Sequence, residues 1–490
     1  MVDHAASSLA EAPRQPELKR AIGPKLLLFF VVGDILGTGI YALTGDVAAR
    51  IGGALWVPFL AAFVVALLTA FSYLELVGKY PGAGGAALFT HKAFGVQFLT
   101  FMVTFTVMSS GVTSAASAAK AFGDTYLRQF ATLPLWLVAL VFMAGLALIN
   151  FRGVGESVKA NVVLTCIELG GLLIIIVAGG MAIGRGEGDA GRLVEVDTST
   201  SGVLLSITAA TSLAFFAMVG FEDSVNMAEE TRDPVKIFPR AMLIGMGVAG
   251  TVYVLVAVVS SMLVPAHELA AAKSGALLRV LQVGAPGFPL QLFGAIGLLA
   301  VINSALINML MASRLLYGMA NERVLPNVFG TVHPTRRTPW VSILFTSGIA
   351  YVLVVSVDLS VLGGTTALLL LAVFTLVNVA VLVLRKDKVS HEHFRAPTWA
   401  PVLGIGLCGF LATPLSGRPG AQFVVAGALL GVGRSDARVN QHHAIIRATG
   451  PPAVDTVRAA CQTPSVVSQC RPQVRSQPPF RDRGKGRVSS

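Results

Sequence analysis

Ten long apolar segments are the feature that most constrains how this chain can fold. Each approaches or exceeds the roughly 20 residues that an α-helix needs to cross about 30 Å of hydrocarbon. They run over residues 24–45, 52–78, 96–120, 133–150, 158–183, 202–228, 240–264, 288–318, 339–357 and 360–384. Because lipid offers no partners for backbone N–H and C=O groups, segments of this kind must be helical. The sequence therefore predicts an all-α polytopic membrane protein with about 10 to 12 spans.

The composition excludes an ordinary soluble enzyme. Hydrophobic residues make up 54% of the chain, charged residues only 13%, and the mean hydropathy is +0.72. A soluble domain carries about twice that charged fraction. Two weaker apolar stretches follow the tenth segment, at 399–415 and 420–433, and they are short for a span. We therefore expect residues 385–433 to form two short or degenerate spans.

The distribution of positive charge predicts the orientation of the chain. Alternate loops hold eighteen Lys and Arg on one side of the membrane and eight on the other. Positive residues are retained on the cytoplasmic side, so residues 1–23 are predicted to be a cytoplasmic N-terminal segment. That segment is polar and lacks the apolar core of a cleavable signal peptide. We expect a multi-pass protein of the plasma (inner) membrane.

Residues 434–490 differ in character from the rest of the chain. They hold ten Lys and Arg against three acids, and so carry +7 of the net charge of +11. Without apolar periodicity, they are predicted to form a disordered basic tail. One explanation is a terminus replaced by a change of reading frame, since an apolar run stops in mid-span near Gly433. The other is a natural basic tail that binds anionic lipid or a regulator. The remaining charge gives no sign of a nucleic-acid surface.

Glycines interrupt the first and the sixth span, which begin two halves of five spans each. The halves cover about 24–183 and 202–384. Gly37, Thr38 and Gly39 break the first span, and Gly220 breaks the sixth just before Glu222. Unwound backbone at membrane depth is tolerated where it lines a cavity. Breaks at matching positions predict an inverted 5+5 repeat in a ten-helix transporter core over 24–384, with discontinuous helices 1 and 6 around a substrate site.

Helix packing is the competing explanation for glycines in a membrane span. We favour packing for Gly33 and Gly45, and a break for Gly37 to Gly39, because Gly-Thr-Gly supplies consecutive free amides.

Free backbone groups at the two breaks predict the kind of substrate. Amides at the start of the outer half-helix would bind a carboxylate through hydrogen bonds and the positive end of the helix dipole. Carbonyls left free near the breaks would accept an ammonium group; they belong to Ile35, Leu36, Phe216, Ala217 and Val219. A molecule that carries both groups a few ångströms apart is an α-amino acid.

Five motifs in this sequence resemble, in family order, the amino acid–polyamine–organocation family of secondary transporters. They are GDILGTGIYALTG, YPGAGGAALFTHKAFG, NFRGVGESVKANVVLTCIELGGLL, FFAMVGFEDSVNMAEETRDPVKIFPRA and MASRLLYGMANERVLPNVFGTVHPTRRTP. The resemblance covers roughly residues 20–415. It implies a permease with a leucine-transporter-like fold that imports or exchanges amino acids with proton or substrate coupling.

The resemblance also implies roles for particular residues. Thr38, Gly39 and Ile40 would offer the amides that bind the substrate carboxylate. Phe216, Ala217 and Val219 would form the amine-binding and gating strip, and Phe216 stands where the family places an aromatic lid over the substrate. The break positions Gly37 and Gly220 and the carbonyl of Ile35 complete the predicted substrate-binding set.

Two intramembrane acids are candidates for proton coupling. Glu168 lies in the middle of the fifth span without a basic neighbour in that segment, and desolvation favours the neutral form of such a carboxyl group. Some proton-coupled relatives resemble this chain but carry a lysine here. Glu168 could carry a proton, form a structural hydrogen bond or pair with a cationic substrate. Asp34, near the first break, could bond to freed amides or take part in coupling.

Other polar residues at membrane depth remain open between two roles. Glu222 and Asp223 are expected to cap the inner half of the sixth helix, where the dipole favours carboxylates. Glu75 and Lys79, at the end of the second span, are expected to form surface salt bridges or gate contacts. Small polar residues could either select the substrate or bind neighbouring helices; they are Ser109, Ser110, Thr113, Asn303 and Ser304.

These features predict a secondary active amino acid transporter that works by alternating access, by proton coupling or exchange. No GxxxxGK[ST] loop or metal-ligand spacing occurs, so no enzyme, cofactor or metal site is predicted. The expected partners are an amino acid, the lipid bilayer and protons, without nucleic acid. A polyamine or other organocation permease, a non-transporting amino-acid sensor and an inactive truncated product are the alternatives. The particular substrate, the coupling ion and the oligomeric state stay open.

Overall fold

A computed structural model describes residues 20, 22–82, 84–152, 157–197, 202–322 and 325–431 of the chain. The basic tail predicted over 434–490, and nearly all of the N-terminal segment 1–23, lie outside these residues. In the described ranges the secondary structure is helical, apart from two isolated β-bridges. The prediction of an all-α polytopic membrane protein is thereby confirmed.

The helices of the first half follow the predicted spans closely. The first span consists of α1 and α2, and α4 is a short helix between the second and third spans. The bounds are α1 Pro24–Ile35, α2 Thr38–Ile51, α3 Trp56–Lys79, α4 Gly85–Phe94, α5 Gln97–Ala121, α6 Leu135–Arg152 and α7 Ser157–Gly184.

The second half adds two short helices between the seventh and eighth spans. The bounds are α8 Gly202–Ala214, α9 Pro234–Leu263, α10 Ala266–Ala272, α11 Ala276–Gly284, α12 Leu290–Asn321, α13 Trp340–Ser356 and α14 Leu359–Leu384. The seventh span begins six residues before the predicted position 240. Pro234 explains this start, since proline has no N–H and its φ angle suits the first turn of a helix.

Nine helical segments in the described part of the chain are long and apolar enough to cross a membrane. They are the predicted spans except the ninth, which is the 17-residue helix α13. At 1.5 Å per residue α13 is about 26 Å long, close to the hydrocarbon thickness.

Both predicted breaks are present. The first span is interrupted between Ile35 and Thr38, and the sixth loses its α-helical form after Ala214. That the two halves are inverted repeats of five crossings each stays a prediction. We call the face where α1 begins the N-terminal face. The two broken spans meet there, since Ile22 N–H donates to the Glu230 carbonyl at 3.0 Å.

Packing divides the helices around the breaks. The second span packs on the seventh, and α1 packs on both the fifth and the seventh. The third span α5 packs on the eighth and tenth spans, α12 and α14. The first and sixth spans thus lie between two groups of continuous helices.

A buried ion pair joins the end of the second span to the chain that follows the tenth. Arg385 donates to both carboxylate oxygens of Glu75, at 2.9 and 2.7 Å, and the Ala396 N–H also donates to this carboxylate at 2.9 Å. These bonds raise the pKa of Arg385. Lys79 donates to the carbonyls of Leu384 and Asp387. Glu75 thus forms the predicted salt bridge, but the pair is not on the surface, because the Glu75 side chain is only 3% exposed.

Replacing Glu75 by glutamine should destabilise the protein by about 3–5 kcal/mol, because the Arg385 guanidinium then stays buried without its counter-charge. Thermal unfolding in detergent measures the effect. Asp124→Asn is the matched control: it removes an exposed pair with Arg128 that contributes about 0–1 kcal/mol. Equal midpoints for the two variants would contradict this assignment.

The two weak C-terminal spans are short helices. Residues Trp399–Leu411 form α15 and Gly420–Gly431 form α16. Between them the buried Arg418 donates to the carbonyls of Ser212, Gly364 and Leu411 and to the side chain of Gln422. These bonds attach the segment to the sixth and tenth spans. Thirteen and twelve helical residues extend only about 20 Å, so their crossing of the membrane stays a prediction.

Candidate functional site

The first break leaves a helix N-terminus in the middle of the protein. Gly37 has φ −53° and ψ −145°, and no side chain caps the 14-residue helix α2 that begins at Thr38. The first four amides of an α-helix have no acceptor within the helix. Among them, the amides of Thr38, Gly39 and Ile40 lie at the positive end of the dipole of α2.

The second break exposes backbone in the sixth span. A 3₁₀ turn, Phe215–Met218, follows α8, and Val219 is extended with φ −75° and ψ 147°. Gly220 has φ +125°, a conformation that side-chain-bearing residues rarely adopt. Helical turns resume over Asp223–Glu230. The backbone from Val219 to Glu222 is therefore outside regular helix.

The two breaks lie against each other, backbone to backbone. A Cβ atom at residue 39 would lie 2.7 Å from the Cβ and 2.9 Å from the backbone N of Ala217. A Cβ atom at residue 220 would lie 2.6 Å from the Asp34 carbonyl oxygen. Only glycine allows this approach at Gly39 and Gly220.

Gly33 and Gly45 pack against neighbouring elements, as predicted. A Cβ atom at residue 33 would collide with the Thr165 side chain of the fifth span, and one at residue 45 would lie 2.5 Å from the Leu269 carbonyl oxygen of α10. Neither glycine lies at a break.

A small cavity of about 20 Å³ lies between the breaks, and we call it the central cavity. Eight of its lining residues were predicted site residues: Asp34, Ile35, Gly37, Thr38, Gly39, Phe216, Val219 and Gly220. The other four are Ser114, Asp223, Ser304 and Asn308. Ile40, Ala217 and Glu168 do not line it. Ile40 is fully buried, and Ala217 faces Gly39 instead.

Sequence reasoning missed part of this lining. Ser114 and Asn308 were not among the candidates, and Asp223 was considered a cap. A helical pattern could have found the first two: Ser110 and Ser114, like Ser304 and Asn308, are four residues apart and share a helix face.

Two lining groups lack hydrogen-bond partners. Asp34 is 8% exposed and Thr38 is 2% exposed, yet the Asp34 Oδ2 and Thr38 Oγ1 atoms have no partner among the described residues. Buried polar atoms are nearly always paired, so each unpaired one requires an explanation. Both atoms belong to residues that line the central cavity, where a bound molecule could pair with them.

Buried tyrosine hydroxyl groups donate hydrogen bonds to backbone carbonyls in and beside the first span. Tyr253 of the seventh span donates to the Ile35 carbonyl at 2.6 Å, so that carbonyl keeps only one lone pair for a substrate. Tyr126 donates to the Tyr41 carbonyl at 2.8 Å, and Tyr41 donates to the Glu168 carbonyl at 2.6 Å. These bonds hold both half-helices of the first span.

Phe216 lines the central cavity on the side away from the N-terminal face. Its ring lies beside Gly363 of the tenth span, 3.4 Å from where a Cβ would stand, and 5% of the residue is exposed.

Glu168 is fully buried beside the first span. Its Oε1 accepts a long hydrogen bond of 3.4 Å from the Asn303 amide, and its Oε2 has no partner in the described part of the chain. It lies within electrostatic range of Asp34. Glu168 therefore neighbours the central cavity without lining it.

Glu222 stands just before the helical turns of Asp223–Glu230 but its side chain does not cap them, contrary to the capping prediction, because it bonds to the unwound backbone instead. The Gly220 N–H donates to its Oε2 at 2.9 Å. Asp223 has no such bond and instead lines the central cavity.

Two further small cavities, of about 10 and 20 Å³, follow the central cavity towards the N-terminal face and share lining residues with it or with each other. The first shares Val219, Asp223 and Asn308 with the central cavity. The second shares Glu222, Asp223 and Leu315 with the first and ends at the half-buried residues Gly84 and Asn226. We call the three together the inner path. Within the described ranges no three His, Cys, Asp or Glu residues are grouped to hold a metal ion.

Comparison with known proteins identifies related chains. A family model described as amino acid permease matches residues 22–430. The methylthioribose transporter of Bacillus subtilis is 27% identical over 450 residues, covering 85% of this chain and 93% of the relative. The branched-chain amino acid permease of the same bacterium is 25% identical, covering 85% and 92%. Cationic amino acid transporter 4 of Mus musculus is 29% identical, covering 78% of this chain and 62% of the mouse protein.

The family match covers most of the chain, and the related proteins are named as transporters rather than enzymes. It confirms the family resemblance drawn from the five motifs, and with the apolar helices it establishes a multi-pass membrane protein. This chain belongs to the amino acid permease family.

Proposed function

We propose that this permease moves an α-amino acid across the membrane by alternating access around the central cavity. The observation that carries the proposal is the meeting of two broken helices at one cavity with unpaired polar atoms. Half-helix termini at the midplane are a known means of binding small charged substrates in transporters.

The substrate would bind through backbone groups of both breaks. Its carboxylate accepts hydrogen bonds from the amides of Thr38 and Gly39, which line the central cavity. Without side chains, Gly39 allows the close approach of Ala217 and Gly37 that of Ser304, which places the two breaks around one cavity. Its ammonium group donates to carbonyls near Phe216, Val219 and Ile35, next to the turn at Gly220.

The inner path supports an alternating mechanism. It leads from the central cavity towards the N-terminal face, whereas on the opposite side Phe216 lies beside Gly363 and Gly45 packs on α10. These cavities are too narrow for an amino acid in this arrangement, so we place the exit of the substrate along the inner path in a more open state. The positive charge of the loops supports a cytoplasmic N-terminal face in the plasma membrane.

Proton coupling is part of the proposal, with Glu168 and Asp34 as the residues that hold the proton. Glu168 supports it by its complete burial and its unpaired Oε2, and Asp34 by lining the cavity. A proton on these groups would neutralise charge next to the first break while the substrate is bound.

Counterflow in proteoliposomes tests the transport proposal. Vesicles that contain the purified full-length chain are loaded with one unlabelled amino acid at a time, and the entry of the same labelled amino acid is recorded. We expect accumulation above that of empty vesicles for at least one amino acid. Binding of amino acids without counterflow, in folded protein, would indicate a sensor and contradict the proposal.

A further inference from the structure

The lining of the inner path carries charge of one sign. It includes the carboxyl groups of Asp34, Glu222 and Asp223, and no Lys, Arg or His is among the described residues that line its three cavities. The sequence alone left the charge of the substrate open.

Asp34 and Asp223 are the carboxyl groups available to a ligand. Asp34 is buried with an unpaired oxygen at the central cavity. Asp223 lines all three cavities, so anything that leaves by the inner path passes it. Glu222 is less available because it accepts the Gly220 amide.

A neutral amino acid does not compensate these acids. Its carboxylate and ammonium groups cancel each other and are already bound by the backbone of the breaks. Buried carboxylates without counter-charges are costly. With the proton on Asp34, as proposed above, Asp223 is the cavity-lining carboxylate that an additional positive charge on the substrate would compensate.

We propose that the transported substrate is an amino acid with a cationic side chain, and that Asp223 recognises this side chain next to Asp34. Asp223 is then a specificity-determining residue of the central cavity. This inference rests on the proposed function.

Lysine and norleucine test the inference on the unmodified protein. The two amino acids have the same carbon chain, but norleucine lacks the side-chain ammonium group. In counterflow and in ligand-induced thermal stabilisation we expect norleucine to act at least about tenfold more weakly than lysine, since loss of one partner of a buried charge pair costs several kcal/mol.

A substitution of Asp223 tests whether this residue causes the preference for lysine. Asp223→Asn should reduce the lysine-to-norleucine preference, measured as the ratio of the two ligands' thermal stabilisation of the folded variant, by at least about tenfold. Asp124→Asn, which removes the same charge from a pair outside the inner path, should leave the preference unchanged.

Three results separate the proposals. If neutral amino acids show counterflow and lysine and arginine show none, the proposal of a cationic substrate is wrong, but the proposal of a transporter is supported. If only neutral amino acids are transported and acid-driven uptake requires Asp34 and Asp223, these two residues carry protons and do not recognise a substrate side chain. Absence of counterflow for every amino acid overturns the proposed function itself.

Discussion

Replacing Gly39 by alanine is expected to reduce counterflow by roughly a hundredfold, the loss that a misplacement of about 1 Å causes at a reacting site. The new methyl group would lie 2.7 Å from the Ala217 Cβ, and the backbone of residue 217 cannot move aside as a flexible side chain could. The break of the first span must then separate from that of the sixth. The amides of α2 and the carbonyls of the sixth span would no longer lie at the spacing of one amino acid.

Gly247→Ala is the matched control for this substitution. Gly247 lies within the seventh span, and a Cβ atom there meets no atom within 4 Å. Alanine also favours the helix by about 1 kcal/mol over glycine. This variant should transport normally. Normal counterflow by a folded Gly39→Ala protein would contradict the placement of the substrate between the breaks.

Replacing Glu168 by glutamine is expected to abolish uptake driven by a pH gradient and to leave exchange intact. Glutamine keeps the size of the side chain and its contact with Asn303 but cannot release or bind a proton in this range. A transporter without its proton site can still exchange one substrate molecule for another, because exchange requires no net movement of the coupling ion.

Uptake is measured in vesicles that carry an imposed pH gradient, and counterflow is measured in parallel without one. Glu187→Gln serves as the control, since Glu187 is an exposed partner of Arg185 in a loop. Gradient-driven uptake by Glu168→Gln at the control level would exclude Glu168 as the proton carrier. Loss of both activities would indicate a structural role instead.

Both breaks could be predicted from the sequence because helix interiors disfavour glycine and because Gly-Thr-Gly frees several amides at once. The same reasoning separated Gly33 and Gly45, which pack, from Gly37 and Gly39, which line the central cavity. The positions of the breaks depend on the local backbone preferences of glycine, which can be read from the sequence alone.

The lining from the third and eighth spans could not be predicted in the same way. Thr113 and Ser114 are adjacent and both polar, yet Thr113 bonds to Thr366 at 2.7 Å and Ser114 lines the central cavity. A hydroxyl group at membrane depth serves either role, and the rotation of the helix decides between them. That rotation is set by tertiary packing.

The roles of the acidic residues could not be assigned without the structure, for a similar reason. Glu222 and Asp223 are neighbours in sequence, but the first bonds to the Gly220 amide and the second lines the inner path. Glu75 required its distant partner Arg385, more than three hundred residues away, to be placed as a buried pair. The short helices α4, α10 and α11 were missed because they lie between the apolar segments that dominate the pattern.

Cysteine accessibility tests passage through the central cavity most directly. Ser114→Cys is made after Cys166, Cys408, Cys461 and Cys470 are replaced by serine, and a positively charged, membrane-impermeant methanethiosulfonate is added from each side. Ser117→Cys is the control, because Ser117 is fully buried one turn along the same helix and bonds to the Thr113 carbonyl. Modification of residue 114 from the side of the N-terminal face, slowed by the transported amino acid, is the predicted result. Modification at 117 but not at 114, or a rate at 114 that no amino acid changes, would contradict a substrate path between the two broken helices.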